Sequence, residues 1–245
     1  MDLTVVIPTY DEGENIKGLI EAVRGVLARI GARYEVIVVD AGSADDTRER
    51  ATEAGAQVMV QTAPGYGGAL KDGFRAAQGD YVLTMDADLS HDPSFIEPMY
   101  AMRAEADVII ASRYVAGGQA EMSRFRYVLS VILNRTFCFF LALPVRDISS
   151  GFRLYRRAVV DGMDITSRNF DVLEEILIKA YVRGYRVVEI PFRYLPRVHG
   201  QSHAKLITFG ISYTKTFLRM FWLRYASRKS ATSNRQSASR SGQPT

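Results

Sequence analysis

Short apolar runs alternate with longer segments of helical periodicity over the first 112 residues, and this alternation constrains the fold more than any other feature. The runs are rich in branched aliphatic residues and predict buried strands at Leu3–Ile7, Tyr34–Val39, Val58–Val60, Tyr81–Met85 and Val108–Ala111. Between them, apolar residues recur every three or four positions, as from Ile16 to Ile30. Buried strands joined by crossover helices indicate an α/β fold with a doubly wound, mostly parallel sheet.

The other predicted elements follow the same patterns. Helices are predicted at Asp45–Ala54, Gly67–Ala77 and Ser94–Ala104, with Ser43 as a candidate N-cap of the first. The second half predicts strands at Gly151–Tyr155 and Val187–Ile190, and helices at Ser123–Ala142, Asp171–Arg183 and Lys205–Tyr225. Residues 227–245 are rich in serine and basic residues without periodicity. We therefore predict one globular domain, 1–226, and a disordered basic tail, 227–245.

Polar residues are concentrated where the predicted strands end. The ligand crevice of a doubly wound sheet lies beyond these ends, which singles out residues 8–12, 40–43, 63–68 and 86–91. Asp86 and Asp88 follow a buried strand and can converge on one divalent cation, for which hard oxygen ligands suit Mg²⁺ or Mn²⁺. Because Asp-x-Asp is a common pattern, a turn that caps the next helix through Asp92 or Ser94 is the alternative.

Further strand ends add candidate nucleotide contacts. Asp40 ends the second strand, where a carboxylate commonly holds a ribose or a base N–H. Tyr10 could stack on a base and Glu12 could accept hydrogen bonds from the nucleoside, although acids also suit the first turn of a helix. The segment Gly65-Tyr66-Gly67-Gly68 resembles a phosphate-binding loop but matches neither standard glycine-rich motif, so its signal is weak.

The charge of the chain is distributed unevenly. No Asp or Glu follows Glu189, whereas ten Lys or Arg do. A basic end favours an anionic partner such as phosphate groups, anionic lipid or nucleic acid, although a solvated tail is the simpler interpretation. The basic residues match no nucleic-acid-binding motif, and the acidic strand ends would repel a phosphate backbone. We therefore predict no nucleic-acid partner.

Apolar segments of the second half suggest contact with a membrane surface. No uninterrupted apolar run of about 18 residues is present, so no membrane span is predicted, and Asn134 and Arg135 interrupt the best candidate, Val128–Val145. The amino terminus lacks a secretory signal pattern, and the single cysteine, Cys138, excludes an internal disulfide, which together favour the cytoplasm.

The helices Ser123–Ala142 and Lys205–Tyr225 could lie in a membrane interface, or else pack on the sheet or on a second subunit. In the first case lipid would meet Phe137, Phe139, Phe140, Leu141, Phe217, Phe221 and Trp222, and headgroups would meet Arg219 and Arg224.

The chain carries, in this order, the motifs VVIPTYDEGENI, VVDAGSADDT, DADLSHDP, ASRY, SSGFRLYRR and RVHGQSHAKL. Together they resemble family 2 glycosyltransferases of the GT-A fold, and more closely the dolichol-phosphate mannose synthases and their polyprenyl-phosphate relatives. The resemblance implies transfer of a sugar, with inversion, to dolichyl or polyprenyl phosphate at the cytoplasmic face of a membrane. It favours GDP-mannose as the donor, with UDP-glucose next. It also implies a peripheral membrane surface as a partner and allows a membrane-anchoring subunit.

The resemblance assigns roles to matching residues. Nucleotide contacts fall on Pro8, Tyr10, Glu12, Asp40, Asp86 and Ala87, and metal contacts on Asp86, Asp88 and Ser90, the last replacing a longer Gln of relatives. Catalytic roles fall on Asp88, Arg113 and Arg197, and the late element containing Ser202 and Lys205 adds acceptor contacts. Arg126 and Arg153 are further acceptor candidates because the acceptor phosphate needs positive charge, although Arg153 fits a solvated basic cluster at least as well. Asp147, which could order the acceptor loop through Arg153, and Glu175 match acidic positions of the family.

The acceptor determines which chemistry is needed. A phosphate monoester is already anionic near neutral pH, so it requires nearby positive charge and no strong base. A transferase acting on a saccharide hydroxyl is the alternative. It would require a carboxylate base, for which Glu175 is the candidate, unless Glu175 is a surface residue that pairs with Lys179.

Overall fold

The computed structural model describes residues 1–196 and 214–226 of the chain. The strands within these residues are β1 (Leu3–Thr9), β2 (Tyr34–Asp40), β3 (Gln57–Val60), β4 (Tyr81–Thr84), β5 (Val108–Ser112), β6 (Gln119–Ala120), β7 (Arg153–Arg156), β8 (Val187–Pro191) and β9 (Arg193–Tyr194). The helices are α1 (Gly13–Arg29), α2 (Thr47–Glu53), α3 (Tyr66–Ala76), α4 (Ile96–Ala101), α5 (Arg124–Leu141), α6 (Arg157–Val160), α7 (Val172–Val182) and α8 (214–226). A short 3-10 turn, Pro93–Phe95, precedes α4.

The central sheet has the order β3-β2-β1-β4-β7-β5-β8, and β6 pairs with β9 in a small second sheet. In the central sheet β7 runs antiparallel to β4 and β5, and the other pairs are parallel. The strand order reverses at β1, because β2 and β3 lie on one side of it and β4 on the other. The predicted α/β fold with a mostly parallel sheet is confirmed.

Each face of the sheet is covered by its own apolar cluster. Side chains alternate along a strand, so Val5 and Ile7 of β1 join the cluster that contains α1 and α2, whereas Val6 joins the cluster that contains α3 and α7. Burial on both faces explains why these strands are continuous apolar runs in the sequence.

The predicted elements of the first half are present, with one error at a helix start. The five strands end within two residues of their predicted bounds. Ser43 is not the N-cap of α2, because that helix begins at Thr47 and is preceded by Asp46. The Ser43 hydroxyl instead bonds to Asp40 and accepts the backbone N–H of Asp11 at 2.9 Å. It therefore connects the loops after β1 and β2.

The helix predicted at Ser123–Ala142 is α5, and Ser123 is its N-cap. Among the predicted lipid contacts, Phe137 and Leu141 are buried in the core, whereas Phe139 and Phe140 are exposed. Of the helix predicted at Lys205–Tyr225, residues 214–226 are described and helical. The tail, 227–245, lies outside the described residues, so the division into domain and tail stays a prediction. No helix within residues 1–196 and 214–226 has both the length and the apolarity needed to span a bilayer.

A buried ion-pair cluster attaches α8 to α7. Glu175 of α7 is fully buried, and its carboxylate pairs with Lys179 at 2.6 Å and with Arg219 of α8 at 2.9 Å. The hydroxyl of Thr216 on α8 donates to Asp171 at 2.7 Å. The predicted pair with Lys179 is therefore present, but in the interior instead of on the surface. Arg219, which the sequence places at lipid headgroups, is engaged in this cluster.

Arg224 also turns toward the protein. Its Nε donates to the carbonyl oxygen of Leu141 at 3.2 Å, and its guanidinium carbon lies 4.5 Å from the centroid of the Tyr181 ring. These contacts hold α8 against α5 and α7 and give Arg224 an internal role, and its contact with a lipid headgroup stays a prediction.

We predict that Glu175→Gln lowers the free energy of unfolding at pH 7 by about 3 kcal/mol, because removing one member of a buried ion pair leaves its partners uncompensated. Burial alone would raise the pKa of Glu175, but hydrogen bonds from Lys179, Ser167 and Thr166 lower it from 4.5 to about 2. The unfolded chain therefore binds this proton first as the pH falls, and the stabilisation is lost between about pH 4.5 and 2.

Urea unfolding of the wild type and of Glu175→Gln at pH 7 and pH 3 measures both effects, since the difference between the two proteins should shrink at the lower pH. Glu97→Gln, at an exposed position of α4, is the control and should change stability by less than about 0.5 kcal/mol. Equal stability of Glu175→Gln and wild type at pH 7 would contradict the prediction.

Candidate active site

The ends of β1, β2, β4 and β5 lie along one edge of the sheet. The loop before β7 reaches the same edge, because Arg153 at the start of this antiparallel strand pairs with Thr84 of β4 and Ile110 of β5. The strand order reverses between β2 and β4, on either side of β1, which is where doubly wound sheets form their ligand crevice. The polar segments singled out in the sequence after β1, β2 and β4 therefore share one crevice edge.

Asp86 follows β4 and lies next to two neutral hydrogen-bond donors. The hydroxyl of Tyr66 donates to its Oδ1 at 3.0 Å, and Nε2 of His91 lies 3.7 Å from its Oδ2. The backbone N–H of Asp86 donates to Nδ1 of His91 at 3.0 Å, so the proton of the neutral ring is on Nε2, which faces the carboxylate. Burial lowers the pKa of His91 and raises the pKa of Tyr66, and both shifts favour the neutral forms.

Asp88 is buried and is held by its own loop. Its Oδ1 accepts hydrogen bonds from the backbone N–H of Ser90 at 3.1 Å and from the Ser90 hydroxyl at 2.5 Å. Leu89, between them, has a left-handed backbone with φ of 62°, a conformation that costs about 1–3 kcal/mol and is concentrated at functional sites. The Ser90 hydroxyl thus orients Asp88, which differs from its predicted role as a metal ligand.

The donor set fits a Mg²⁺ or Mn²⁺ ion that is bound together with a diphosphate. Within the two described ranges, no three His, Cys, Asp or Glu side chains gather into a metal cage. Magnesium is usually bound by one or two carboxylates, with water and substrate phosphates as the other ligands. Asp86, whose side chain is 29% exposed, and Asp88 provide two carboxylates at the crevice. The alternative turn is present as well, since Asp92 accepts the N–H of Ser94 at 2.8 Å.

The predicted nucleotide contacts lie at the ends of β1, β2 and β4. Tyr10 is 44% exposed, so its ring can stack on a base. Pro8 is buried within β1 opposite Val39, and Ala87 is buried between the two carboxylates that follow β4. Of these residues, only the Tyr10 side chain is exposed, so a contact at Pro8 or Ala87 would be made through the backbone.

Asp40 is fully buried and organises the loop after β2. Its Oδ1 accepts the N–H groups of Gly42 and Ser43, both at 3.0 Å. Glu12 is half-buried, and its carboxylate accepts the side-chain N–H of Asn15 at 2.7 Å. Both acids shape the crevice edge through these internal bonds, so a nucleoside contact would be an additional role for each.

Arg113 follows β5 and forms a two-point ion pair with Asp147 of the loop before β7. Its Nε and Nη2 donate to the two carboxylate oxygens at 2.8 Å, and Nη2 also donates to the hydroxyl of Ser149 at 2.8 Å. Burial opposes both charges, but the pairing raises the pKa of Arg113 and lowers the pKa of Asp147. Asp147 thus pairs with Arg113 instead of Arg153, the partner predicted from the sequence.

The predicted acceptor-binding residues are in different environments. Arg126 is exposed in the first turn of α5. Arg153 is completely buried and donates to the carbonyl oxygens of Ile148, Ser150 and Leu173 at 2.5–2.7 Å. Its guanidinium therefore binds the polypeptide, and its assignment to the acceptor is corrected. Residues outside the described ranges are Arg197, Ser202 and Lys205.

The segment Gly65-Tyr66-Gly67-Gly68 serves close packing of the chain. A Cβ atom on Gly67 would lie 2.2 Å from the carbonyl oxygen of Ser167, so only glycine fits this contact. The resulting approach brings the Tyr66 hydroxyl to Asp86. The segment gains no support as a phosphate-binding loop.

Sequence reasoning missed Tyr66 and His91 as parts of this site. His91 belongs to the motif DADLSHDP, and a histidine three residues after an acidic pair is a signal that could have been used. Tyr66 has no comparable signal, because its contact with Asp86 depends on the packing of α3.

Comparison with known proteins identifies the sequence relatives. The model of the family "Glycosyl transferase family 2" matches residues 4–163. A dolichol-phosphate mannosyltransferase of Pyrococcus furiosus is 37% identical over 219 residues, which are 84% of this chain and 60% of that protein. The glycosyltransferase AglJ of Haloferax volcanii is 33% identical over 200 residues, 81% of this chain and 64% of that protein. The chain thus spans less than two thirds of the length of these relatives.

A solved structure shares the fold. Glucosyl-3-phosphoglycerate synthase of Mycobacterium tuberculosis, in complex with Mn²⁺, uridine diphosphate and phosphoglyceric acid, matches with a TM-score of 0.71 and 21% identity. The match covers 90% of this chain and 78% of that one. Another structure of the same synthase contains Mg²⁺ and uridine diphosphate.

We predict that Tyr66→Phe weakens metal-dependent binding of a nucleoside diphosphate about tenfold, because Asp86 loses a hydrogen bond that orients it. The fold should persist, since the ring still stacks on Phe170 at a centroid distance of 4.4 Å. Calorimetric titration of GDP and UDP with and without Mn²⁺ measures the effect.

The matched control is Tyr100→Phe, whose ring packs on Tyr81 at the opposite end of β4 and whose loss of a hydroxyl should leave binding unchanged. The role assigned to the Tyr66 hydroxyl is wrong if Tyr66→Phe binds as tightly as wild type, or if it is weakened equally without metal.

Proposed function

The chain belongs to glycosyl transferase family 2, and we propose that it transfers one sugar from a nucleotide-sugar donor to a polyprenyl phosphate. The proposal is carried by one observation, the proximity of an acidic pair and a buried cation at the crevice. The carboxylate of Asp86 lies 3.7 Å from His91, and the His91 ring packs against the Tyr194 ring at a centroid distance of 6.3 Å. The guanidinium carbon of Arg113 lies 5.6 Å from the centroid of the same Tyr194 ring, so two adjoining rings link the acidic pair to this cation.

This arrangement suits two phosphorylated substrates. Asp86 and Asp88 would hold Mg²⁺ or Mn²⁺, which when bound offsets the negative charge of the departing nucleoside diphosphate. Arg113 would donate hydrogen bonds to the acceptor phosphate, and Arg126, exposed in the first turn of α5, would add positive charge. Separate cations for the two phosphates reduce the repulsion between donor and acceptor.

The proposed reaction is a single displacement with inversion at the anomeric carbon. An oxygen of the acceptor phosphate forms the new bond to this carbon, and the bond from the carbon to the donor diphosphate breaks with its electron pair. No proton has to be removed, because the second pKa of a phosphate monoester is about 6. The residues of the chain therefore bind and orient the substrates, and no covalent intermediate with the protein is required.

We favour GDP-mannose as the donor. This choice is supported by the motifs of the chain and by its similarity to a dolichol-phosphate mannosyltransferase of Pyrococcus furiosus. The synthase of Mycobacterium tuberculosis that shares the fold was crystallised with uridine diphosphate, so UDP-glucose is the second candidate.

The alternative transfer to a saccharide hydroxyl would need a general base. Glu175, the candidate for this role, is fully buried and paired with Lys179 and Arg219. Its pKa of about 2 makes it a weak base near neutral pH. Glu175 therefore supports the structural role and gives the alternative no support.

A continuous apolar surface on α5 and α8 suits a lipid substrate. Phe125, Ile132 and Phe139 are exposed along α5, by 78%, 55% and 79%. Trp222 of α8 is 66% exposed, and Phe140 contacts the Phe217 ring across the two helices at 6.0 Å. We propose that this surface rests on the cytoplasmic face of a membrane, so that the polyprenyl chain stays in lipid; an anchoring subunit is compatible with this arrangement.

We predict that Asp88→Ala reduces sugar transfer to polyprenyl phosphate at least about 100-fold, because the metal loses a ligand and the leaving diphosphate loses its counter-charge. Chelation of divalent cations should have the same effect on the wild type. The assay supplies GDP-mannose or UDP-glucose with Mn²⁺ and offers polyprenyl phosphate, free saccharides or neither.

Asp92→Ala is the control, since this acid caps the 3-10 turn and its loss should change the rate by less than about threefold. Transfer that survives both Asp88→Ala and chelation would refute the metal site. Transfer to saccharides and not to polyprenyl phosphate would refute the proposed acceptor. In that case Arg197→Ala should have little effect on transfer.

We predict that the double variant Phe125→Ser with Phe139→Ser binds lipid vesicles at least about tenfold more weakly, because each buried Phe contributes about 1.5–3 kcal/mol. Co-sedimentation with vesicles of neutral and anionic phospholipids measures binding. Val60→Ser, at a 54% exposed position of edge strand β3, is the control. Equal vesicle binding by the double variant and the wild type would show that this surface does not meet lipid.

A further inference from the structure

Helix α5 has two faces with different partners. Its outward face exposes Phe125, Ile132 and Phe139. Its inward face buries Asn134 together with Phe137, Cys138 and Leu141. The amide of Asn134 is 3% exposed, and burying such a group is costly unless hydrogen bonds replace its hydration. The contacts of Asn134 therefore indicate why an amide occupies this buried position.

These contacts connect α5 to the loop before β7. Oδ1 of Asn134 accepts the backbone N–H of Ile148 at 2.8 Å. Its Nδ2 donates to the hydroxyl of Ser149 at 3.1 Å and to the carbonyl oxygen of Ser130, one turn earlier in α5, at 2.8 Å. Both parts of the amide are thus used, one to fix the backbone of the loop and one to fix a side chain.

The connection continues to the cation of the site. The Ser149 hydroxyl that meets Asn134 also accepts a hydrogen bond from Nη2 of Arg113 at 2.8 Å. Asp147, one residue before Ile148, provides the two-point ion pair to the same guanidinium. A second link runs from the Tyr114 hydroxyl to the hydroxyl of Ser130 at 2.7 Å. Residues 113 and 114 are therefore joined to one turn of α5 by two separate hydrogen-bonded routes.

We propose that Asn134 is a positioning residue that fixes the position of the Arg113 side chain relative to α5. This inference rests on the proposed function, in which Arg113 meets the acceptor phosphate and α5 meets the membrane. A polyprenyl phosphate enters the site from the lipid surface, so its phosphate lies at a set height above that surface. The hydrogen bonds of Asn134 fix the distance between the apolar face of α5 and the Arg113 guanidinium.

The physical reason is the freedom of the groups that Asn134 restrains. The loop between α5 and β7 has no regular secondary structure over 142–152, and a long arginine side chain loses substantial rotamer freedom when it is held in one geometry. Displacement of a substrate-binding group by about 1 Å can reduce a rate about 100-fold. A side chain without the amide cannot bond both Ile148 and Ser149, so the loop and the arginine would lose a common support.

The central experiment compares Asn134→Leu with the wild type in steady-state kinetics, varying polyprenyl phosphate and nucleotide sugar separately. Leucine has a similar volume and keeps the packing of α5 but cannot make the hydrogen bonds. We expect kcat/KM for the acceptor to fall between about 10- and 100-fold. The KM of the donor, and calorimetric binding of the nucleotide with Mn²⁺, should change by less than about twofold, because Asp86 and Asp88 keep their own contacts.

Two further variants separate positioning from a general loss of stability. Cys138→Ala removes a side chain from the same buried face one turn away, so it should lower the melting temperature and leave acceptor kinetics unchanged. Ser149→Ala breaks the link between Asn134 and Arg113 at its centre and should reproduce the selective loss, also if Asn134→Leu fails to fold. Both variants break the same link between Asn134 and Arg113. The reduction of kcat/KM for the acceptor in the double variant should therefore be smaller than the product of the two single reductions.

A measurement that does not depend on the acceptor completes the test. The Nε–H of Arg113 donates to Asp147 at 2.8 Å. The rate at which this hydrogen exchanges with solvent, measured by ¹⁵N NMR, should rise at least about tenfold in Asn134→Leu. Unchanged exchange and unchanged acceptor kinetics in a folded Asn134→Leu protein would overturn the inference, as would equal losses for donor and acceptor. A wild type that uses no polyprenyl phosphate refutes the proposed function instead, and the exchange rate alone then decides whether Asn134 positions Arg113.

Discussion

A single buried guanidinium connects the parts of the site to the sheet. Arg153 begins the antiparallel strand β7, between the two strands whose ends carry Asp86 and Arg113. A charge inside a protein requires strong compensation, and three backbone carbonyls of the preceding loop and α7 provide it. The same bonds fix the loop that contains Asp147, the ion-pair partner of Arg113. This loop also places Gly151 beside Asp86, and a Cβ atom added to Gly151 would lie 3.3 Å from the Asp86 carboxylate. The acidic and basic sides of the crevice therefore have a common support.

The charges of the crevice are separated by a neutral ring. His91 stacks on Phe152 with centroids 5.1 Å apart, and its burial lowers the pKa that would otherwise let it become a third cation. The neutral ring therefore leaves the Asp86 carboxylate available to a metal, while the guanidinium of Arg113 is paired with Asp147. A protonated imidazole at this place would pair with Asp86 and compete with the metal. Neutrality of His91 is thus part of the arrangement that we propose for two phosphorylated substrates.

Helices α5 and α8 each have one face that packs on the body of the protein and one face with exposed apolar side chains. Each is attached to the body of the protein by buried polar groups, Asn134 on α5 and the partners of Glu175 on α8. These directional bonds set the position of each helix without using its outer apolar residues, such as Phe139 and Trp222. The arrangement explains how large aromatic side chains remain exposed while the helices that carry them stay fixed relative to the crevice.

The sequence by itself determined the strand and helix alternation, the parallel sheet and the meeting of Asp86 and Asp88 at one edge, because periodicity and strand-end position are local properties. It could not assign partners to charged residues. Arg153, predicted at the acceptor, binds carbonyls of the chain, and Glu175, left open between sugar and surface, lies in the interior with Arg219, 44 residues away. Such pairings depend on which distant segments pack together and on the cost of leaving a buried charge unpaired. Only the tertiary structure decides them, because the spacing of residues along the chain does not say which distant side chains come into contact.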